Sequence, residues 1–197
     1  PDMRRLIGAA EDPLQAAIQI AIAGNIIDFG PGQSFDLKAQ LERALSIPVD
    51  TRVLDRMRRD LKAAQRVLYL GDNAGEAVFD RLLIEQIDAP VTFAVRGAAV
   101  INDVTEAEAI ASGLNQVANI LSTGSDIPGI LLEECSPQFQ QAFAEADVII
   151  SKGQGNYESL SGTSGPIYFL LVVKCDLVAG HLNRQVGDFA FLAANLS

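Results

Sequence analysis

The chain has 197 residues, 49% of them hydrophobic and 20% charged, which suits one domain with a sizeable core and excludes disorder over most of its length. With 15 Lys and Arg against 25 Asp and Glu the formal charge is −10, so no nucleic-acid partner is expected, although a local basic pocket would serve a small phosphorylated molecule. Cys135 and Cys175 form neither a C-x-x-C pair nor a disulfide framework, and the single His181 excludes a His-rich zinc site, so the chain reads as a cytoplasmic protein with reduced thiols.

The opening Pro1-Asp2-Met3-Arg4-Arg5 has no long apolar stretch behind it, so no secretory signal is expected. A start on Pro rather than Met suggests that leading residues are missing. The apolar run from Leu14 to Ile27 is too short for a membrane span and is interrupted by Gln15, Gln19 and Asn25. Asp12-Pro13 opens it as a helix, with an N-cap carboxylate and Pro at the first helical position, and Gly24-Asn25 should end it. Gly30-Pro31-Gly32 is a firm break, and Phe35 to Ala64 look helical and more exposed, divided by Pro48. Residues 1–65 are therefore expected to form a helical lead-in.

From Arg66 the character changes. Val67-Leu68-Tyr69-Leu70 reads as a buried strand running into Gly71-Asp72-Asn73-Ala74-Gly75-Glu76, with a helix after it. Val91 to Val95 is a second strand, ending at Arg96-Gly97. Thr105 and Glu108 fit a capping box on the next helix. Val117 to Leu121 and Asp147 to Ile150 are strands separated by a helix opening at Ser136-Pro137, and Ile167 to Val173 is the last strand. Short apolar strands alternating with helices predict an α/β domain over 66–197, with a mostly parallel sheet covered on both faces.

Ligands of open parallel sheets bind beyond the carboxyl ends of the strands, and there the chain places Asp72 and Asn73, then Arg96 with Asn102 and Asp103, then Thr123, Lys152 and Lys174. Asp72, Asn73 and Asp103 offer two carboxylates and an amide oxygen, hard ligands suited to Mg²⁺ or Mn²⁺. A turn at Asp72-Asn73 and a helix cap at Asp103 account for the same residues, so their types alone leave the choice open. Lys152-Gly153-Gln154-Gly155-Asn156 lets backbone N–H groups face an anion beside a positive charge, but it is neither a P-loop nor a dinucleotide fingerprint.

Taken in order, five segments resemble the metal-dependent damage-control phosphatase family: Gly24-Asn25-Ile26-Ile27-Asp28, Gly71 to Glu76, Val95-Arg96, Ile101-Asn102-Asp103-Val104-Thr105, and Ser151 to Glu158. The resemblance implies a Rossmann-like three-layer α/β/α domain with one divalent metal, Mn²⁺, Co²⁺, Ni²⁺ or Mg²⁺, held by Asp72, Asn73 and Asp103. It implies catalytic roles for Asp72, Asp103 and Lys152, with Lys152 holding the phosphate of a small phosphorylated metabolite. Arg96, Gly153, Gly155 and Asn156 would assist, and Asn25 and Asp28 would border the pocket. Members of that family carry a longer helical region ahead of Gly24-Asn25, so 1–65 is expected to be the remainder of a larger helical cap.

The implied reaction is hydrolysis of phosphate monoesters such as sugar phosphates or damaged metabolites. Direct attack by water is preferred over a phospho-aspartate on Asp72, because a carboxylate that ligates a cation is a poorer nucleophile. Glu76 is read as a base, as support for the ligands, or equally as a solvated residue of the first helical turn. Two competing classes are an S-adenosylmethionine-dependent carboxyl methyltransferase, which gives Lys152 and the metal set nothing to do, and a non-catalytic metabolite-binding protein. Neither the oligomeric state nor the individual substrate is legible.

Overall fold

Val67-Leu68-Tyr69-Leu70 has no polar side to offer water, and β1 (Val67–Leu70) is buried throughout. The same holds for β4 (Val148–Lys152) and β5 (Ile167–Val172), while β2 (Val91–Val95) is nearly as buried. Only parallel strands covered on both faces need such continuous apolar runs. The computed structural model describes residues 3–25 and 37–194. Among them one six-stranded sheet has the order β3-β2-β1-β4-β5-β6, with β3 at Asn119–Ser122 and β6 at Phe189–Ala193. All neighbours are parallel except β6, which runs antiparallel to β5.

The helices that cover the sheet are α1 (Met3–Ala9), α2 (Pro13–Gly24), α3 (Leu37–Ser46), α4 (Thr51–Ala63), α5 (Ala77–Ile84), α6 (Glu106–Ala111), α7 (Pro137–Glu145), α8 (Gln154–Leu160) and α9 (Asp176–Leu182). Strand alternation divides them into two layers. Tyr69 and Phe93 enter one apolar cluster with Ile18, Met57 and Leu83, whereas Leu68 and Leu70 enter another with Phe139, Tyr157 and Val178. The chain is thus a three-layer α/β/α domain. α2 is buried along almost its whole length because α1, α3 and α5 pack around it. Asp12 caps it by accepting from the Gln15 N–H at 3.2 Å. The approach to α5 is close enough that a Cβ on Gly24 would lie 2.9 Å from the Phe79 ring.

The strand order creates the functional position. The chain lays down β1, β2 and β3 outward in one direction, then returns to place β4 on the other side of β1. Loops leaving β1 and β4 therefore diverge, and a crevice opens where the order reverses. Leu70 is in register with Ala94 on one side and Ser151 on the other, so the loops after β1, β2 and β4 start side by side. Among the described residues, no helix is long and apolar enough to cross a membrane.

Candidate functional site

Backbone hydrogen bonds lace the loop after β1 to the loop before α6. Val104 N–H donates to Asp72 O at 2.8 Å, Ala74 N–H to Asn102 O at 2.8 Å, and Asn73 pairs with Asp103 as an isolated antiparallel bridge. Asp103 is thereby brought beside Asp72 and Asn73, about thirty positions earlier in the chain, by main-chain bonds. A short helical turn at Ala74–Glu76 then carries Glu76 back beneath Asp72, where it is almost fully buried and not the solvated first-turn residue that its position also allowed.

Two amides clamp the carboxylates. Asn73 Nδ2 donates to Asp72 Oδ2 at 3.2 Å and to Glu76 Oε1 at 2.6 Å. Asn25, delivered by the end of α2, donates from Nδ2 to Asp72 Oδ2 at 3.0 Å and also to Glu76 Oε1. Beneath them Lys152 Nζ donates to Glu76 Oε2 at 2.7 Å and to Asp80 Oδ1 at 2.6 Å, and Tyr69 OH donates to the same Asp80 oxygen at 2.7 Å. Lys152 is completely buried.

The charge in this stack does not balance. Asp72, Glu76 and Asp80 are three carboxylates around one buried ammonium. Burial and the neighbouring Glu76 push Asp72 up to about 7, against the opposing pull of Lys152 and Lys174. Burial also raises Asp80, to about 6, with Lys152 acting against it. Lys152 itself is held well above its ordinary range, because Asp80 and Glu76 outweigh the burial that disfavours its charge. A half-buried carboxylate kept near neutrality for want of positive charge is a place where a cation fits.

Among the described residues no three His, Cys, Asp or Glu side chains converge as a metal cluster. The ligand set available is therefore two carboxylates, Asp72 and Asp103, completed by the Asn73 amide, all hard oxygen donors. Gly153 makes room for it. Its φ is +78°, and a Cβ there would fall 2.0 Å from Asp72 Oδ2, so a side chain is excluded by conformation and by space.

Arg96 and Asn156 form a second, neutralised network beside this one. Arg96 donates from Nε to Asp103 Oδ2 at 2.5 Å, from Nη1 to Gly129 O at 2.5 Å and from Nη2 to Asn156 Oδ1 at 3.0 Å. Asn156 Nδ2 donates to Lys152 O at 2.9 Å and to Gly71 O at 3.2 Å. Both residues are buried, and Gly155 on α8 is exposed. Asp28 lies outside the described residues.

One strand further on, Lys174 stands exposed just past β5, with its backbone N–H donating to Gln154 Oε1 at 2.7 Å. Its charge reaches Asp72. The strand-end pattern in the sequence marks this lysine, but the glycine-rich motif draws attention to Lys152 instead. His181 lies on α9, where its Nδ1 is 3.0 Å from Tyr157 OH. A cavity of about 870 Å³ opens elsewhere, among Leu6, Gln15, Leu45 and Arg58 of the helical layer, and contains none of the strand-end residues.

Comparison with known proteins bears on the family and the fold. A family model described as the damage-control phosphatase ARMT1-like domain matches residues 1–189. A curated Methanocaldococcus jannaschii protein described as uncharacterized is 39% identical over 189 residues, covering 91% of this chain and 62% of that protein. A Pyrococcus horikoshii damage-control phosphatase is 40% identical over 179 residues, covering 88% and 62%. An Archaeoglobus fulgidus damage-control phosphatase is 33% identical over 195 residues, covering 95% and 68%. The crystal structure of a Pyrococcus horikoshii DUF89 family protein superposes with a TM-score of 0.87 at 35% identity, over 98% of this chain and 70% of that one. The chain spans 62% of the length of the first two curated relatives.

Proposed function

The chain belongs to the damage-control phosphatase ARMT1-like family, and from that premise we propose that it is a divalent-metal-dependent phosphohydrolase acting on phosphate monoesters of small metabolites, sugar phosphates or damaged metabolites. The observation that carries the proposal is the main-chain lacing that brings Asp72, Asn73 and Asp103 together at the switch point of the sheet, beside carboxylates short of positive charge. Those three residues would hold the metal. When bound, Mn²⁺, Co²⁺, Ni²⁺ or Mg²⁺ supplies a Lewis acid that draws charge from the phosphoryl group.

The chain's own groups divide the remaining work. Asn25 and Asn73 donate to Asp72 and Glu76 and so fix the direction of the Asp72 carboxylate. Glu76 is buried and accepts from both amides and from Lys152, which makes it a fixed anion behind the ligands. Arg96 holds Asp103 in place, and Asn156 joins Arg96 to the backbone of β4. Lys152 acts on the site through Glu76, by holding it in position. The Gly153 N–H is taken by Leu170 O at 3.0 Å, so the exposed ammonium of Lys174, with backbone N–H groups at the start of α8, meets the phosphate oxygens. Phosphoryl transfer needs chiefly positioning and charge stabilisation, and this set provides both. The compartment is the cytoplasm, where the free thiols of Cys135 and Cys175 stay reduced.

The test is phosphate release from a panel of sugar phosphates and p-nitrophenyl phosphate, using protein stripped with EDTA and each metal restored separately. Activity should return only with metal. Turnover by the stripped protein would remove the metal from the proposal, and metal binding without turnover of any ester would remove the phosphatase.

A further inference from the structure

Ile101 is anomalous in two independent ways. Its φ is +50°, and among the described residues Asn183 is the other non-glycine with a positive φ, at +51°. Asn183 is the C-cap of α9, a position where Asn adopts the left-handed conformation readily. Ile101 has no such excuse, because a β-branched side chain is among the least suited to that region. It is also 93% exposed, the most exposed large hydrophobic residue described.

The strain has a visible source. Asp103 N–H closes back on Val100 O at 2.9 Å, and Ala74 N–H takes Asn102 O at 2.8 Å, so the turn at 100–103 is fixed at both ends by the bonds that deliver Asp103. That turn needs a positive φ at 101. Glycine or asparagine would supply it with less strain and no exposed apolar surface. Isoleucine gains nothing from burial here, since the described residues give its side chain almost no cover.

Resting on the phosphatase reading above, we propose that Ile101 is a specificity-determining residue whose side chain contacts the leaving group of the substrate. The position fits that task. Ile101 is two residues from the proposed ligand Asp103, in a turn bonded through Asn102 O to the loop that carries Asp72, and so belongs to the edge of a site whose floor is charged or amide. The charged floor recognises the phosphate, and the apolar lip selects esters whose carbon skeleton presents an apolar face. A backbone outlier kept at the edge of a reactive site is where strain is exchanged for function.

Ile101→Asn tests this, because Asn suits the positive φ and removes the apolar contact. Its melting temperature without ligand should equal or exceed that of the unsubstituted protein. Its KM for p-nitrophenyl phosphate should rise about tenfold, the effect of losing one partly buried aliphatic contact, with the loss falling on KM rather than kcat. Inhibition by inorganic phosphate, which has no leaving group, should not change. An unchanged KM for the aromatic ester would overturn the assignment, as would an equal weakening of ester and inorganic phosphate. So would a dimer that Ile101→Asn dissolves, since the side chain would then belong to an interface. If the unsubstituted protein turns over no ester with any metal, the phosphatase reading itself fails and the assignment falls with it.

Discussion

Lys152 ends β4 and Lys174 follows the end of its neighbour β5, yet the two lysines live in opposite surroundings. Lys152 has no exposed surface and donates to Glu76 and Asp80, while Lys174 is exposed beside Gln154. The difference runs through the whole site. Its floor, made of Asn25, Glu76, Asp80, Arg96, Lys152 and Asn156, is buried and extensively hydrogen-bonded within the protein. Its rim, made of Asp72, Asn73, Asp103, Ile101 and Lys174, is at least partly open. Buried charges are tolerated only when paired, so floor residues are committed to holding one arrangement. Rim residues keep atoms free for a ligand. The lesson is that residue type and strand-end position do not distinguish the two roles, and burial does.

Substitution can break this division, and the largest effect belongs to the floor. Lys152→Met leaves Glu76 and Asp80 buried without their shared cation, so chemical denaturation should show a loss of about 3–5 kcal/mol, the usual consequence of removing one partner of a buried ion pair. Stability unchanged by this substitution would mean that Lys152 is not a structural cation. Gly153→Ala joins floor and rim. The added Cβ meets Asp72 Oδ2 at a backbone φ of +78°, so about 2 kcal/mol should be lost to strain alone, and metal binding should weaken as Asp72 is displaced. Calorimetric metal titration and thermal melting measure the two parts separately.

At the rim, stability and function should separate. Asp103→Asn keeps an oxygen able to accept from Arg96 Nε but removes the charge offered to a cation. Partners outside the coordination sphere already affect metal affinity by about 10–100-fold, so removing a ligand's charge should weaken Mn²⁺ binding by at least about 100-fold in a calorimetric titration, with the far-ultraviolet spectrum unchanged. Metal binding that survives intact would take Asp103 out of the ligand set.

How much of this was legible depended on whether the signal was local. The strands of the parallel sheet announce themselves as apolar runs, the capping box at Thr105 and Glu108 is present, and the end of α2 falls at Gly24. Asp72 and Asn73 stand out because they follow closely on the end of β1, whereas Asp103 lies in the loop between β2 and α6 and comes beside them only through main-chain bonds. β6 was not read although Phe189–Ala193 is as apolar as its neighbours; it is a partly buried edge strand that runs antiparallel to β5, outside the strand-helix alternation that marks the parallel strands. Strand β3 lies at Asn119–Ser122 rather than starting at Val117, because a helical turn at Leu114–Gln116 extends to that residue. α8 begins at Gln154, inside the glycine-rich stretch, where no helix was read because two glycines in five residues weaken the helical signal. Least legible was the engagement of Lys152, because Glu76 is 76 residues away and no local pattern says which carboxylates a buried lysine will meet. The exposure of Lys174 is likewise a property of the assembled sheet edge.

Lys174→Ala should have the smallest effect on the fold and so sharpens the contrast most. An exposed lysine without an ion pair among the described residues contributes little to stability, and the change should stay within about 0.5 kcal/mol. Its effect should appear instead in ligand binding. A charge-assisted hydrogen bond to a phosphate oxygen is worth about 1.5–3 kcal/mol, so inhibition by inorganic phosphate should weaken by about tenfold or more. Because the ammonium sits at the surface, the difference between the two proteins should shrink as salt is raised from 0.05 to about 0.5 M, where screening shortens the reach of exposed charge. A difference in phosphate binding that ignores salt would place the lysine's contribution in the buried floor, and an absent difference would leave the backbone N–H groups at the start of α8 as the phosphate's only partners on this side of the site.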